Sequence, residues 1–250
     1  MLEVQVFPDK AALLRAAADE FATVLRAAVA ERGRCLVALS GGSTPQGLFK
    51  LLAGPLYSEG LPWEKLIVLW GDERAVGPKS IDANFWLARN LLLDHVSVAD
   101  ENIYRIPGEL LPAEAVKFYT ETLAVLSGEA RSWPRLDLAL MGMGTDGHTA
   151  SLFPGLIPEA EAHSPVIATV GQYEDRHPQR ISLTPLVFND ARVVLFLAVG
   201  AAKAKTLSAV LEGPEMFAEL PAQRIQPTAG VLKWFVDAAA AAELKIKLKD

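Results

Sequence analysis

The sequence is poor in the features that mark secreted and membrane proteins. Its 250 residues include one cysteine, Cys35, so no disulfide can form within the chain. Cys35 lies in an apolar run, which favours a buried thiol over a nucleophile. No apolar run approaches the roughly 20 residues that cross a bilayer, and the first residues lack the basic and apolar segments of a secretion signal. We therefore expect a cytoplasmic protein that does not interact with membranes.

Blocks of basic residues are also missing. The 24 lysines and arginines are interleaved with 30 acidic residues, and the net charge is −6. Nonspecific nucleic-acid binding depends on neutralising phosphates, so this pattern argues against a nucleic-acid partner. A small anionic substrate stays open, because one or two placed cations and backbone N–H groups can hold a phosphate in an acidic protein.

Apolar runs alternate with segments of helical periodicity along the chain. Asp9 is the predicted cap of a helix that ends near Gly33. Further helices are predicted at 45–53, 83–95 and 112–126 and from 200 onward, and strands at 35–39, 66–70, 136–141, 192–199 and 232–236. This alternation implies βαβ units. We expect an α/β fold, one domain spanning 1–250, with a mostly parallel Rossmann-like sheet covered by helices on both faces.

The most informative stretch is the glycine-rich turn after the third predicted strand, which carries Asp146 and His148. A histidine can exchange a proton near neutrality, and a neighbouring carboxylate can orient its ring. Taken alone, this pattern is better explained by a strand-ending turn with Asp146 as a cap. Other polar turns are expected at the same edge of the sheet, and together they favour a functional site over a simple capped turn.

Two further turns follow predicted strands, and one helix start carries a cation. The turn 40–45 (Ser-Gly-Gly-Ser-Thr-Pro) is as typical of a tight turn as of a phosphate site, and it lacks the Walker and dinucleotide patterns. Asp72 and Arg74 follow the second strand, where a surface ion pair is the default and oxyanion stabilisation the alternative. Lys203 at a helix start opposes the helix dipole and indicates an anionic partner. Ligands of parallel sheets bind beyond the carboxyl ends of the strands, so these turns are expected to line one crevice.

With these segments in hand, the chain resembles the glucosamine-6-phosphate isomerase/6-phosphogluconolactonase family, in its lactonase form. The resemblance is carried, in order, by residues 40–45, 70–74, 99–108, 142–154, 180–184 and 200–203. It implies hydrolysis of 6-phospho-D-glucono-1,5-lactone to 6-phosphogluconate in the oxidative pentose phosphate pathway. The implied partner is that sugar-phosphate lactone alone, and no cofactor is implied. We expect the protein to be a monomer. No metal is expected, since the histidines outside the turn lack metal-ligand spacing.

The resemblance also assigns roles to residues. It gives His148 the proton transfers, with Asp146 orienting the ring, and leaves open whether His148 acts first as base or as acid. Asp72 and Arg74 complete the catalytic set. The substrate and its phosphate are assigned to Gly41, Gly42, Ser43, Thr44, Arg180 and Lys203, with Arg180 the weaker assignment.

Two alternatives were weighed against this function. An isomerase or deaminase would use Asp72 to abstract a carbon-bound proton, but the deaminases carry a glutamate five residues after the histidine, where this chain has Phe153. A sugar-phosphate sensor would not need the Asp146–His148 pair. The chain also reads Asp-Ala-Asn-Phe at 82–85, where relatives read Asp-Ser-Asn-Tyr, and we expect small effects on substrate contacts. Segment 171–179 is expected to be plain surface, with a mobile lid as the alternative.

Overall fold

A computed structural model describes residues 1–127, 131–171 and 177–245. The strands are β1 (Leu2–Phe7), β2 (Cys35–Leu39), β3 (Leu66–Trp70), β4 (Asp72–Arg74), β5 (Ile103–Tyr104), β6 (Leu138–Gly142), β7 (Val166–Val170), β8 (Gln179–Leu183), β9 (Val193–Ala198) and β10 (Val231–Asp237). The α-helices are α1 (Lys10–Arg32), α2 (Ser43–Leu52), α3 (Pro55–Ser58), α4 (Asn84–Leu91), α5 (Pro112–Ser127), α6 (Pro185–Phe188) and α7 (Ala204–Glu212).

Seven strands form one sheet in the order β1-β10-β9-β6-β2-β3-β5, and all neighbours are parallel. The predicted parallel sheet is confirmed. β2 and β3 are buried along their whole length, which explains why both appear in the sequence as uninterrupted apolar runs. Because the strands are parallel, their carboxyl ends lie along one edge of the sheet.

A second sheet was not foreseen. β4, β8 and β7 form a three-stranded antiparallel sheet in the order β4-β8-β7. The segment after Trp70, predicted only as a polar turn, is therefore a short strand that pairs with residues more than 100 positions away. The prediction for 171–179 falls largely outside the described residues.

The ends of α1 match the prediction. Asp9 accepts a hydrogen bond from the Ala12 N–H at 2.8 Å, and Gly33 ends the helix at a φ of +73°, a conformation that favours glycine. α2 begins at Ser43, two residues before the predicted start. The predicted helix 83–95 is divided into α4 and a 3₁₀ turn, Leu93–His95. Within the described part of the chain, no helix has the length and apolar character needed to cross a membrane.

Candidate active site

A cavity of about 550 Å³ lies beyond the carboxyl ends of β9, β6, β2 and β3, which are neighbours in the sheet. Eight of the ten predicted site residues line it: Gly41, Gly42, Ser43, Thr44, Asp72, Arg74, His148 and Lys203. Within the described ranges, no three His, Cys, Asp or Glu side chains are grouped closely enough to hold a metal ion. The structure thus brings three turns and one helix start around a single cavity.

His148 and Asp146 form a hydrogen-bonded pair at this cavity. The His148 Nδ1 lies 2.6 Å from the Asp146 Oδ1, and the same oxygen accepts the His148 backbone N–H at 3.2 Å. Partial burial acts to raise the pKa of the Asp146 carboxyl, but the hydrogen bond and charge of His148 outweigh it and leave that pKa below its usual value. The carboxylate therefore stays ionised and can fix the orientation of the imidazole.

The loop that carries this pair depends on its glycines. The Gly144 N–H donates to the His148 carbonyl at 2.8 Å. A Cβ at Gly144 would lie 2.1 Å from the His148 Nδ1 and 2.4 Å from the Asp146 Oδ1, so a side chain there excludes the observed pair. Gly147 adopts a φ of +84°, which other residues rarely adopt. Gly144 is thus required by the positions of His148 and Asp146, and Gly147 by the backbone conformation of the loop.

The start of α2 provides an anion site without a side-chain cap. Gly42 occupies the N-cap position at a φ of +102° and, having no side chain, provides no capping hydrogen bond to the first turn. The N–H groups of that turn therefore face the cavity with the positive end of the helix dipole. The N-cap residue is glycine and not serine or aspartate, so no capping side chain occupies this position. An anion from solution can bind the N–H groups there instead.

Lys203 supplies a cation to the same cavity. It is the last residue of the 3₁₀ turn Ala201–Lys203 and the N-cap of α7. Burial lowers the pKa of the Lys203 ammonium, and the opposing charge of Asp237 reduces that effect. Among the described residues, no carboxylate oxygen lies within ion-pair distance of its Nζ. A bound phosphate would supply the missing counter-charge.

Asp72 is held in a buried network that the sequence did not reveal. Its Oδ2 accepts a hydrogen bond from the Ser151 hydroxyl at 2.6 Å, and its backbone carbonyl accepts one from the Asn84 side chain at 2.9 Å. Asn84 also lies 3.3 Å from the Asp72 Oδ1. Ser151 and Asn84 both belong to motifs that were singled out, yet nothing in the linear pattern indicated that they meet at Asp72. Both carboxylate oxygens are therefore oriented by the protein.

The Glu73 carboxylate caps the start of α4. Its carboxylate accepts the backbone N–H groups of Asn84 and Phe85, each at 2.7 Å, and that of Arg74 at 2.8 Å. Burial raises the pKa of this carboxyl to about 7, although the three N–H donors act in the opposite direction. Glu73 thus serves as the cap of α4 from a different strand, and Ala83, the N-cap residue itself, provides no side-chain hydrogen bond.

The two predicted arginines lie on neighbouring strands but face different surroundings. Arg74 lines the cavity, and its guanidinium donates to the Asp82 carbonyl. Arg180 is opposite Arg74 in the β4–β8 register, is buried, and donates to the carbonyls of His177 and Gln179. Arg180 is not among the residues that line the cavity. Its assignment to the substrate remains a prediction.

The segment after His148 turns sharply back on itself. Thr149 and Leu152 pair through backbone hydrogen bonds, and Ala150 between them has a φ of +47°, unusual for a residue with a Cβ. This turn places the Phe153 ring 5.4 Å from the His148 ring, between centroids. An aromatic ring therefore lies beside the imidazole of His148.

Comparison with known proteins gives a consistent result. Residues 8–234 match the family described as glucosamine-6-phosphate isomerases/6-phosphogluconolactonase. A 6-phosphogluconolactonase of Nostoc sp. is 40% identical over 97% of this chain and 98% of its own, and one of Synechocystis sp. is 38% identical over the same shares. The solved structure of 6-phosphogluconolactonase from Trypanosoma brucei superposes with a TM-score of 0.85 at 26% identity, over 98% of this chain and 99% of the other.

Proposed function

The chain belongs to the glucosamine-6-phosphate isomerase/6-phosphogluconolactonase family, and from that premise we propose that it hydrolyses 6-phospho-D-glucono-1,5-lactone to 6-phosphogluconate, a step of the oxidative pentose phosphate pathway. The observation that carries the proposal is the arrangement around one cavity. The cavity is lined by the histidine of a histidine–carboxylate pair and by an anion site that combines the uncapped start of α2 with Lys203. The first suits proton transfer at a lactone and the second suits a phosphate.

We propose that His148 acts first as a base. With Nδ1–H donated to the Asp146 carboxylate, a neutral imidazole takes a proton at Nε2. His148 removes a proton from a water molecule as the water oxygen bonds to the lactone carbonyl carbon, and the carbonyl oxygen becomes an oxyanion. When the oxyanion collapses, the bond from that carbon to the ring oxygen breaks, and the imidazolium returns the proton to the ring oxygen. The products are a carboxylic acid and a free hydroxyl group.

The remaining residues bind and stabilise charge in this proposal. Gly42, Ser43 and Thr44 offer the phosphate the N–H groups of the helix start, Gly41 lets it approach the backbone, and Lys203 balances its charge. Holding the phosphate at that end fixes the lactone relative to His148, which replaces a random encounter with a positioned reaction.

Arg74 and the backbone N–H groups of the glycine turns are assigned to stabilising the oxyanion. Asp72 positions groups around the reacting carbon. The Phe153 ring beside His148, at the position where the deaminases carry a glutamate, supports hydrolysis over the deaminase alternative. We propose in addition that a single chain suffices for activity, which light scattering at assay concentration would check.

The test uses lactone generated in situ, whose disappearance is followed with wild-type protein, with His148→Ala and without protein. His163→Ala, a change at an exposed histidine, is the matched control. General acid–base catalysis is worth roughly 10²–10⁴ in rate, so His148→Ala should lose about that much turnover while His163→Ala keeps it. Wild-type protein no faster than the blank would exclude the lactonase function and return attention to the deaminase and sensor alternatives.

A further inference from the structure

Two hydrogen bonds within the described part of the chain tie the loop that carries Asp146 and His148 to neighbouring segments. The Thr206 hydroxyl donates to the Thr145 carbonyl at 2.6 Å. The Ala222 N–H donates to the Gly147 carbonyl at 3.0 Å. Of these two, only the Thr206 hydrogen bond is made by a side chain, so a substitution can remove it without altering the backbone.

The Thr206 methyl group faces the same loop. A Cβ at Gly147, which glycine lacks, would lie 3.5 Å from the Thr206 Cγ2 and 2.8 Å from the Leu220 Cδ2. The hydroxyl therefore contacts the loop at Thr145, next to Asp146, while the methyl group lies on the side of Gly147, next to His148.

The position of Thr206 on its helix connects this contact to the anion site. Lys203 is the N-cap residue of α7, and Thr206 lies three residues later, one helical turn further along. Lys203 faces the cavity, and Thr206 holds the loop. One short, hydrogen-bonded element thus carries both the cation that meets the phosphate and the group that fixes the histidine–carboxylate pair.

We propose that Thr206 is a positioning residue that ties the Asp146–His148 loop to the helix beginning at Lys203. This rests on the function proposed above. When the phosphate binds at Lys203, the helix start is fixed, and the Thr206 hydrogen bond carries that restraint to the loop. Binding energy from the part of the substrate that does not react then serves to orient the group that transfers the proton.

Two pairs of variants isolate the hydroxyl. Thr206→Val keeps the shape and removes the donor, whereas Thr206→Ser keeps the donor and removes the methyl group. Thr206→Ala, compared with Thr206→Ser, removes the donor again should the valine variant fold poorly. We expect Thr206→Val to lower kcat about tenfold with KM changed by less than about twofold, and Thr206→Ser to keep most of kcat.

A double-mutant cycle with Lys203→Ala tests the connection along α7. Because both residues act through one helix, the loss of kcat/KM in the double variant should be clearly smaller than the product of the two single losses. Independent losses that multiply would overturn the connection. An unchanged kcat in both hydroxyl-free variants, or equal losses in Thr206→Val and Thr206→Ser, would overturn the positioning role.

These outcomes are distinct from a failure of the proposed function. Wild-type protein that does not accelerate lactone hydrolysis removes the reaction itself, whatever the variants do. A rise in KM at constant kcat for Thr206→Val would assign the residue to ground-state binding and also overturn the proposal. Circular dichroism and thermal unfolding of each variant establish that the comparison is made between folded proteins.

Discussion

At the scale of single residues, the glycines between β6 and His148 differ in what they do. Gly147 has a positive φ, so its conformation requires glycine. Gly144 is required for space, because any Cβ would overlap the His148 ring and the Asp146 carboxylate. Only the second requirement acts directly on the pair that is proposed to move the proton.

Gly144→Ala should therefore abolish most activity while the protein still folds. The new methyl group displaces His148 from Asp146, and misplacing a catalytic group by about 1 Å can cost roughly 10²-fold in rate. Gly77→Ala is the matched control, since a Cβ there meets nothing within 4 Å and Gly77 does not line the cavity. The measurement is kcat on the in situ lactone, with thermal unfolding of both variants. Near wild-type kcat for Gly144→Ala would contradict the role of the pair.

Residue types near the site were predictable from the sequence, but their partners were not. Glycine, a carboxylate and a histidine in one turn indicated a functional loop only together with the other polar turns at the same edge of the sheet. The hydrogen bond from Ser151 to Asp72 joins residues 79 positions apart, and no local pattern encodes it. Asn84 is buried, unusual for an amide, and that burial is visible only after folding. Arg180 fits the sequence motif yet lies outside the cavity lining.

At the scale of elements, local signals fixed some boundaries well. The Asp9 cap and Gly33 terminus define α1, and the buried runs define β2 and β3 at the predicted residues. β4 was missed because its three residues are Asp, Glu and Arg, which are poor strand formers. Pairing with β8, not propensity, makes this segment a strand. α4 likewise lacks a local cap, since its cap is Glu73 from β4.

Burial of this capping carboxyl predicts a pH dependence of stability. The pKa of Glu73 is raised from its ordinary 4.5 to about 7, so the folded state holds a proton that the unfolded state releases between these values. Unfolding free energy from Glu73 is then greatest below pH 4.5 and falls as pH rises towards 7, by up to about 3 kcal/mol. Glu73→Gln cannot ionise, so the difference in unfolding free energy between wild type and this variant should decrease over that window.

Urea unfolding at several pH values measures this difference. Glu109→Gln is the control: the hydrogen bond from Arg105 lowers the pKa of Glu109, so its contribution changes below pH 4.5 and stays nearly constant between 4.5 and 7. A wild-type minus Glu73→Gln difference that is equally flat over this window would show that Glu73 keeps an ordinary pKa. The cap of α4 would then be an ionised carboxylate over the whole of this pH window.

At the scale of the whole molecule, strand order explains why the site could be anticipated. Lys203 follows β9, the His148 loop follows β6, the 40–45 turn follows β2, and Asp72 follows β3. These four strands are consecutive neighbours in the sheet. Since all are parallel, turns far apart in sequence open on one edge. The sequence predicted the parallel sheet and hence this edge, whereas the antiparallel sheet that holds Asp72 and Arg74 depends on long-range pairing.

The same arrangement predicts how a ligand stabilises the whole fold. A molecule that binds only the folded state at about 100 times its Kd adds roughly 2.7 kcal/mol, which for a chain of this length raises Tm by roughly 5 to 10 °C. 6-Phosphogluconate should give such a shift with wild-type protein, and gluconate, which lacks the phosphate, should give little. Lys203→Ala should lose most of the shift at equal concentration. Lys205→Ala, which removes an exposed lysine from the same helix, should keep it. Equal shifts for gluconate and 6-phosphogluconate, or a full shift in Lys203→Ala, would place the phosphate elsewhere than between the start of α2 and Lys203.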